Sequence, residues 1–376
     1  MLSDLEIRVV ENSDIEDILK FYNVNFHDNR ELKHWSWEYR ELLPGSEVFV
    51  VVRDRSKNNE LVGIQGMIPL FLNINGDKCL TGKSETALLH ENYRKGGVLF
   101  RKYNEYAISR CKEKSMICVW GMNEIGSVWK GFLGFTTTTD EMQDSILVLN
   151  ILKTLKNNGQ TGDTRSSVET NAIKKNMRDK IAFYWRLLKG NICFRLRRIP
   201  IQTRDEGYTI TDEIKNSEDI SLLYCTLRRR HPNLIYIHQD DNYQNWRIKK
   251  NPFVKYLTLY LYQGRSLKAY CYISIAASNT AFLTDITFED TGAGCYLLNH
   301  ALKELRKKGI SYVQFFGNIS NPLIKEVFNL RAEFGFYVRK SKMNFLIRNI
   351  SALNERELLN VRNWYINGLW SEGITV

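Results

Sequence analysis

Leu88-Leu89-His90-Glu91-Asn92-Tyr93-Arg94-Lys95-Gly96-Gly97-Val98-Leu99 carries the most specific local pattern in the chain. It closes a strand-like run, Asp77–Leu89 (DKCLTGKSETALL), and opens a helical one at about 97–113, with two basic residues and two glycines at the turn. In such a strand–loop–helix the loop amides and the first helical N–H groups converge on one spot, where the helix dipole favours an anion. Glycine lets the backbone approach that anion closely, and Arg94 and Lys95 add positive charge. An ordinary helix cap has the same pattern, so the loop alone leaves two readings open: a pyrophosphate cradle or a plain turn.

Upstream, residues 5–10 read as a strand, 14–26 as a helix, and His34–Leu43 (HWSWEYRELL) as a helix rich in aromatics. Runs at 47–53, 60–74 and 77–89, separated by the turn signals Lys57-Asn58-Asn59 and Asn75-Gly76-Asp77, predict three antiparallel strands in succession. Downstream come a buried strand at 116–120, a short helix near 125–132, Gly134-Phe135 and a strand pair to about 150. The order recurs: strand 208–214, helix 219–229, helical piece 241–250, strands 255–262, 267–276 and 280–287, Thr291-Gly292-Ala293-Gly294 opening a helix to about 308, strand 311–316, helix 322–330, Gly335-Phe336 and strands to 347. This is a duplication of folding pattern. It predicts an α/β (α+β) protein of two tandem domains, each a mixed, mostly antiparallel central sheet flanked by helices. The expected bounds are 1–152 and 207–350, with a basic helical linker at 153–206 and a tail at 351–376.

Arg94 and Gly97 fall where the loop Q/R-x-x-G-x-G/A has its first and fourth positions, with Leu99 in place of the last glycine or alanine. Gly121-Met122-Asn123-Glu124, Trp129 and Leu133-Gly134-Phe135 follow at the spacing of a "PN…lGF" segment, with Met122 for the proline. In these motifs the chain resembles the GNAT acyltransferases, over most of 5–150 and more faintly over 208–348. The resemblance implies two tandem GNAT-like domains and coenzyme A, with acyl-CoA as co-substrate and no metal. It implies cofactor contacts from Thr86, Leu88, Leu89, Tyr93, Arg94, Lys95, Gly96, Gly97, Val98, Asn123 and Ser127. The pantetheine arm would run along the end of the fourth strand, and the amide of Leu88 would donate to the thioester oxygen. Glu85 is the expected base for a neutral attacking amine, with Asn123 also placed in the catalytic set. Glu85 and Thr86 are neighbours on opposite pleats, so aiming Glu85 inward requires a bulge.

The second copy differs. Its loop, Thr291–Cys295, lacks a basic residue and follows Glu289 and Asp290. That charge is wrong for a pyrophosphate, so domain 2 is expected to be degenerate and to shape an acceptor pocket. Candidate acceptor-binding residues are Trp37, Glu85, His238, Asp240, Trp246, Arg247 and Asp285: an aromatic to stack on a ring, carboxylates for hydroxyls or an ammonium. Each has a plain alternative, a core anchor for the tryptophans and a solvated turn for the aspartates. The YRxxG loop and the segment Trp246-Arg247…Asn251-Pro252 look most like sugar N-acyltransferases. The implied acceptor is a nucleotide-linked amino sugar such as a dTDP-3-amino-3,6-dideoxyhexose, used for surface polysaccharide. Rival readings are an aminoacyl transferase of peptidoglycan assembly and a non-catalytic GNAT scaffold that only binds.

Composition narrows the classes. The 376 residues, 43% hydrophobic and 25% charged, are those of a globular chain. Residues 153–200 hold twelve Lys/Arg and three acidic residues, a net +9 of the chain's +11. A charge so confined suits a solvated linker helix or a wall facing phosphates better than a nucleic-acid face, and no nucleic-acid partner is expected. Seven cysteines with no CxxC pair argue against a disulfide framework and a zinc site. No apolar run reaches the ~18–20 residues of a membrane span. The expectation is a cytoplasmic monomer or small homo-oligomer.

Overall fold

The computed structural model describes residues 4–27, 29–138, 141–150, 207–276 and 279–370, with Trp185, Leu188, Lys189 and Ile192. Apart from those four residues, the basic segment at 153–206 lies outside them. In chain order the first copy gives β1 (Leu5–Val9), α1 (Ile15–Phe26), α2 (Leu32–Ser36) running into a π-helical turn Trp37–Glu41, β2 (Val48–Asp54), β3 (Glu60–Ile74), β4 (Asp77–Leu89), α3 (Val98–Glu113), β5 (Cys118–Asn123), α4 (Gly126–Leu133), β6 (Thr136–Thr138) and β7 (Met142–Val148). The second gives β8 (Tyr208–Thr211), α5 (Asp219–Arg230), β9 (Tyr236–Ile237), a short helix Asp241–Tyr243 running into a π-helical turn Gln244–Lys249, β10 (Tyr256–Gln263), β11 (Ser266–Ile275), β12 (Thr280–Phe288), α6 (Thr291–Lys307), β13 (Tyr312–Asn318), α7 (Pro322–Glu333), β14 (Tyr337–Lys340), β15 (Asn344–Asn349) and α8 (Glu355–Leu359). The turns chosen from sequence are the ones used. Asn58, Asn59 and Asn75 take the left-handed conformation that asparagine tolerates.

The strands form two mixed sheets. The first has the order β1-β2-β3-β4-β5-β15-β6, with β9 added beside β3. The second has the order β14-β7-β13-β12-β11-β10-β8. The compact units built on them are not contiguous in sequence. Unit 1 takes the described residues of Met1–Thr139, Pro232–Pro252 and Lys342–Trp364; unit 2 takes those of Asp140–His231, Phe253–Ser341 and Tyr365–Val376. The copies have therefore exchanged their closing strands. β7, from the first copy, lies between β13 and β14, and β15, from the second, lies between β5 and β6. The bounds 1–152 and 207–350 follow chain order, whereas the units follow strand pairing.

In unit 1 the apolar faces of β2, β3 and β5 bury against α3 and α4 through Val50, Val52, Met67, Val119, Leu99, Tyr103 and Trp129. Trp246, on the segment that follows β9, stacks on Trp37 with centroids 4.9 Å apart and planes at 19°. Each indole Nε1–H donates to the other's main-chain carbonyl, at 3.0 and 2.7 Å. The two tryptophans lie in matching π-helical turns, so the pair relates corresponding elements of the two copies. At the start of α1, Asp14 is buried and accepts hydrogen bonds from Arg8 (2.6 and 2.8 Å) and from Arg53 (2.7 and 3.0 Å), tying β1 and β2 to the helix. Burial alone would raise the Asp14 carboxyl, but Arg8, the Glu11 amide and Arg53 outweigh it and hold the group below its ordinary value.

Trp246→Ala is expected to lower stability by about 3–5 kcal/mol in urea unfolding, as for other buried large-to-small changes. A Trp37→Ala/Trp246→Ala double variant should lose less than the sum of the single losses, since both remove one shared contact. Asp14 contributes stability that is present above the ordinary carboxyl titration near pH ~4 and is lost as pH falls through its lowered value. In Asp14→Asn the acid limb of a stability-versus-pH curve should flatten.

Candidate functional site in unit 1

β4 and β5 run parallel and pair only at Gly82–Val119 and Lys83–Trp120. Beyond that apex β4 continues to Leu89 while β5 stays with β15, so the sheet opens between them. Gly121 marks the parting: a Cβ there would lie 3.1 Å from the Ser84 carbonyl oxygen. Along the open edge the amides alternate. His90 N–H donates to Val62 O, and Leu88 pairs with Ile64. By that alternation Leu88 turns its amide to β3, and the N–H groups of Ala87 and Leu89 face the opening. The amides that face the opening are thus those on either side of Leu88.

The bulge that Glu85 needs is present. The β3–β4 register shifts between Ile64 and Gly66, and Thr86 sits at φ 55°. A β-branched residue in the left-handed region stores roughly 1–3 kcal/mol of strain. Two clamps hold it there. Tyr39, from the π-helical turn, shares a 2.7 Å hydrogen bond with the Thr86 hydroxyl, and Gly66 leaves room for the phenol. On β3, the buried Gln65 amide donates to Glu85 O at 3.0 Å and to Gly66 O at 2.7 Å. Burial, then the Glu38 carboxylate, pushes the Tyr39 phenol well above its ordinary value, so it stays protonated. Glu38 itself is buried against Arg30 at 2.8 Å. Glu85 is buried too, and it accepts a hydrogen bond from Lys83 two residues earlier on the same face.

At the mouth of the opening, Gly96 and Gly97 lead into α3 at φ 68° and 65°. Among the described residues no side chain caps the first N–H groups of α3. Nothing lies within 4 Å of a Cβ built on Gly96, whereas one on Gly97 would meet the Phe132 ring at 2.6 Å. Arg94, Lys95, Gly96 and Val98 are exposed. Arg94 Nε donates to Leu89 O at 2.8 Å, tying the loop to the strand end, and Tyr93 OH donates to Asp54 at 2.6 Å. Asn123 spends its side chain on the turn into α4, its Oδ1 accepting from Ile125 N at 2.6 Å, with Ser127 exposed in the first turn. Asn344 of β15 braces the same turn, donating to the Asn123 and Glu124 carbonyls at 3.0 Å each. Local sequence gives no hint of Asn344's part, because its strand comes from the other copy.

Unit 2 repeats the geometry and closes it. β12 and β13 pair only over Thr280–Phe282 with Tyr312–Gln314, and β12 bulges at Thr284. Here Asn318 N–H donates to Ile366 O at 3.1 Å, Tyr365 OH donates to Ile286 O at 2.7 Å, and Gly368 lies against the Thr284 backbone. Residues Tyr365–Trp370 thus line the β12 and β13 edges. The Asp290 carboxylate accepts from Ala293 N at 3.0 Å and caps α6.

The acceptor candidates fare differently. Asp285 is fully buried, accepting from Tyr270 OH at 2.7 Å and from Asn367 Nδ2 at 2.7 Å, and it anchors the Tyr365–Trp370 segment. Trp37 and Trp246 are engaged with each other, and Arg247 is buried. Asp240 caps Tyr243 N at 3.0 Å and pairs with Lys78 at 2.7 Å, with His238 half-buried 3.7 Å away. His238, Asp240, Trp246 and Arg247, expected in the second domain, belong to unit 1. Among the described residues no group of three or more His, Cys, Asp or Glu side chains gathers to hold a metal ion.

No protein-family model and no curated protein matches this sequence. Solved structures do. A conserved Enterococcus faecalis V583 protein described as a probable N-acyltransferase matches with TM-score 0.60 at 9% identity, over 92% of this chain and 73% of that one. Saccharomyces cerevisiae N-myristoyltransferase, solved with bound myristoyl-CoA and inhibitors, matches with TM-score 0.54 at 13% identity, over 93% and 81%. A GCN5-related N-acetyltransferase from Kribbella flavida matches with TM-score 0.54 at 10% identity, over 94% and 73%. The likeness is one of fold: two GNAT-like sheets with their flanking helices.

Gly96→Ala and Gly97→Ala separate the two features of the loop. Gly96→Ala meets only the left-handed backbone and should cost about 1–2 kcal/mol. Gly97→Ala adds the collision with Phe132 and should cost clearly more. Equal losses in urea unfolding would mean that Phe132 yields freely.

Proposed function

We propose that this chain is an acyl-CoA-dependent N-acyltransferase whose donor enters the β4–β5 opening of unit 1. One observation carries the reading: among the described residues, an open strand edge ends at a helix N-terminus that no side chain caps, with Arg94 and Lys95 exposed beside it. The residues suit a diphosphate-bearing donor. Gly96 leaves open space over the loop, and the amides from Gly97 and Val98 onward present a partial positive charge. The Ala87 and Leu89 amides suit the amide-rich arm of such a donor, entering as an added strand. In this reading Tyr93, held by Asp54, fixes the loop, and Thr86 and Leu88 set the bulge and register. Glu85 takes the proton from the attacking amine, an edge amide steadies the oxyanion, and the thiolate leaves without needing a dedicated acid.

Unit 2 is read as a non-donor half, because its strand edges and its helix N-terminus are satisfied from within. The acceptor brought to the test is the nucleotide-linked amino sugar, such as a dTDP-3-amino-3,6-dideoxyhexose, that the sequence resemblance implies. Stacking by Trp246 and binding by Asp285 drop out of that reading, leaving Glu85, His238 and Asp240 as its polar candidates.

Coenzyme A at 100 times its Kd should stabilise the protein by about 2.7 kcal/mol, read as a rise in melting temperature, with one molecule bound per chain. Arg94→Ala should shrink that rise. With acetyl-CoA and amino-sugar nucleotides, free thiol should appear, and Glu85→Gln should lower kcat by roughly 100-fold or more while leaving the melting shift. Absence of any shift with coenzyme A would sink the donor assignment; a shift without thiol release across a panel of sugars would sink the acceptor.

A further inference from the structure

We infer that Lys83 is itself an acyl acceptor, so that the protein modifies its own active site. The inference rests on the reading that acyl-CoA occupies the β4–β5 opening. Lys83 is the one buried lysine among the described residues, at 4% exposure. Lysine is almost never buried without a reason, and a buried ion pair seldom repays its desolvation through stability alone. Its place is specific. Lys83 forms the last parallel pair with Trp120, at the apex where β4 and β5 part. Its Nζ donates to Glu85, the carboxylate read as the base. The face they share is opposite to that of Gly82, whose missing Cβ would point at Met116 and Cys111 below α3. A donor running inward along the Ala87–Leu89 edge ends at this apex. There the nearest amine to the base is the chain's own, already in contact with it.

The step balances. Glu85 accepts one proton from the Lys83 ammonium, and the freed Nζ lone pair attacks the thioester carbon. The new C–N bond forms as the C–S bond breaks, and the departing thiolate takes the second proton from nitrogen. The products are an Nε-acyl-lysine, free coenzyme A and a protonated Glu85 that returns its proton to water. The lysine no longer neutralises Glu85, which is left to serve an outside amine.

The test uses the full-length protein with acetyl-CoA and, separately, myristoyl-CoA, followed by intact mass and peptide mapping. The melting shift with coenzyme A is recorded on the same preparation. The expected result is one acyl group per chain, on Lys83, with an equal amount of free thiol. Glu85→Gln should slow this labelling by roughly 100-fold or more. Lys83→Arg, which keeps a cation beside Glu85, should abolish it. Urea-unfolded protein should show no preference for Lys83. A melting shift without label on Lys83 from either donor, or label there no faster than on exposed lysines such as Lys95, overturns self-acylation and leaves the donor site standing. No shift and no label overturns both.

Discussion

A parallel strand pair that lasts for two residues governs unit 1. Parallel strands hold each other through evenly spaced, slanted hydrogen bonds, and here the ladder stops at Gly82–Val119 and Lys83–Trp120. Main-chain groups past that point have strong hydrogen-bonding needs and, among the described residues, no strand on that side to meet them. A sheet can resolve this by closing, by adding a strand, or by taking a ligand with amide chemistry. Unit 2 uses its own chain, laying Tyr365–Trp370 into the corresponding gap. Among the described residues unit 1 keeps the gap, and α3 starts beside it with no side-chain cap, where unit 2 has Asp290. Among the described residues the halves thus differ in whether a later segment of the chain lies along these strand edges.

The interior of that gap is arranged with equal care over charge. Thr86 would relax out of its left-handed conformation if it were free to do so. Tyr39 and Gln65 prevent this from opposite faces of the sheet, and the kink they hold sets the direction of Glu85. Two buried ion pairs, Lys83–Glu85 and Arg30–Glu38, flank the same few residues. Burying four charges there is expensive unless each has its partner in place, so the local chemistry depends on which pairs hold and which one is opened by substrate.

Most of this was legible in the sequence. The alternation at 47–53, 60–74 and 77–89 and the Asn/Gly turns between them fix β2 to β4, and Arg94 to Gly97 mark the strand–loop–helix corner. The requirement for a bulge at Glu85–Thr86 followed from pleat parity alone. Lys83 was readable by the same parity, two residues before Glu85 in a strand with an apolar end, yet a lysine in a strand looks like a solvated one until burial is known. Trp37 and Trp246 were ambiguous between ligand stacking and core; nothing local in either segment names the other as partner. Least visible was strand exchange. Met142–Val148 and Asn344–Asn349 each read plainly as strands, but alternation specifies that a segment is a strand and not which neighbour it will find.

That exchange bears on how the protein is made. β5 receives β15 along its whole length, so at the ribosome the first sheet is left with a raw flank until residues 344–349 emerge. At the usual ~5–20 residues per second, that is a wait on the order of tens of seconds, with Val119 and Trp120 beside an edge that any other extended chain can join. The nascent protein has a long interval of stickiness written into its topology, and the two halves cannot mature one after the other.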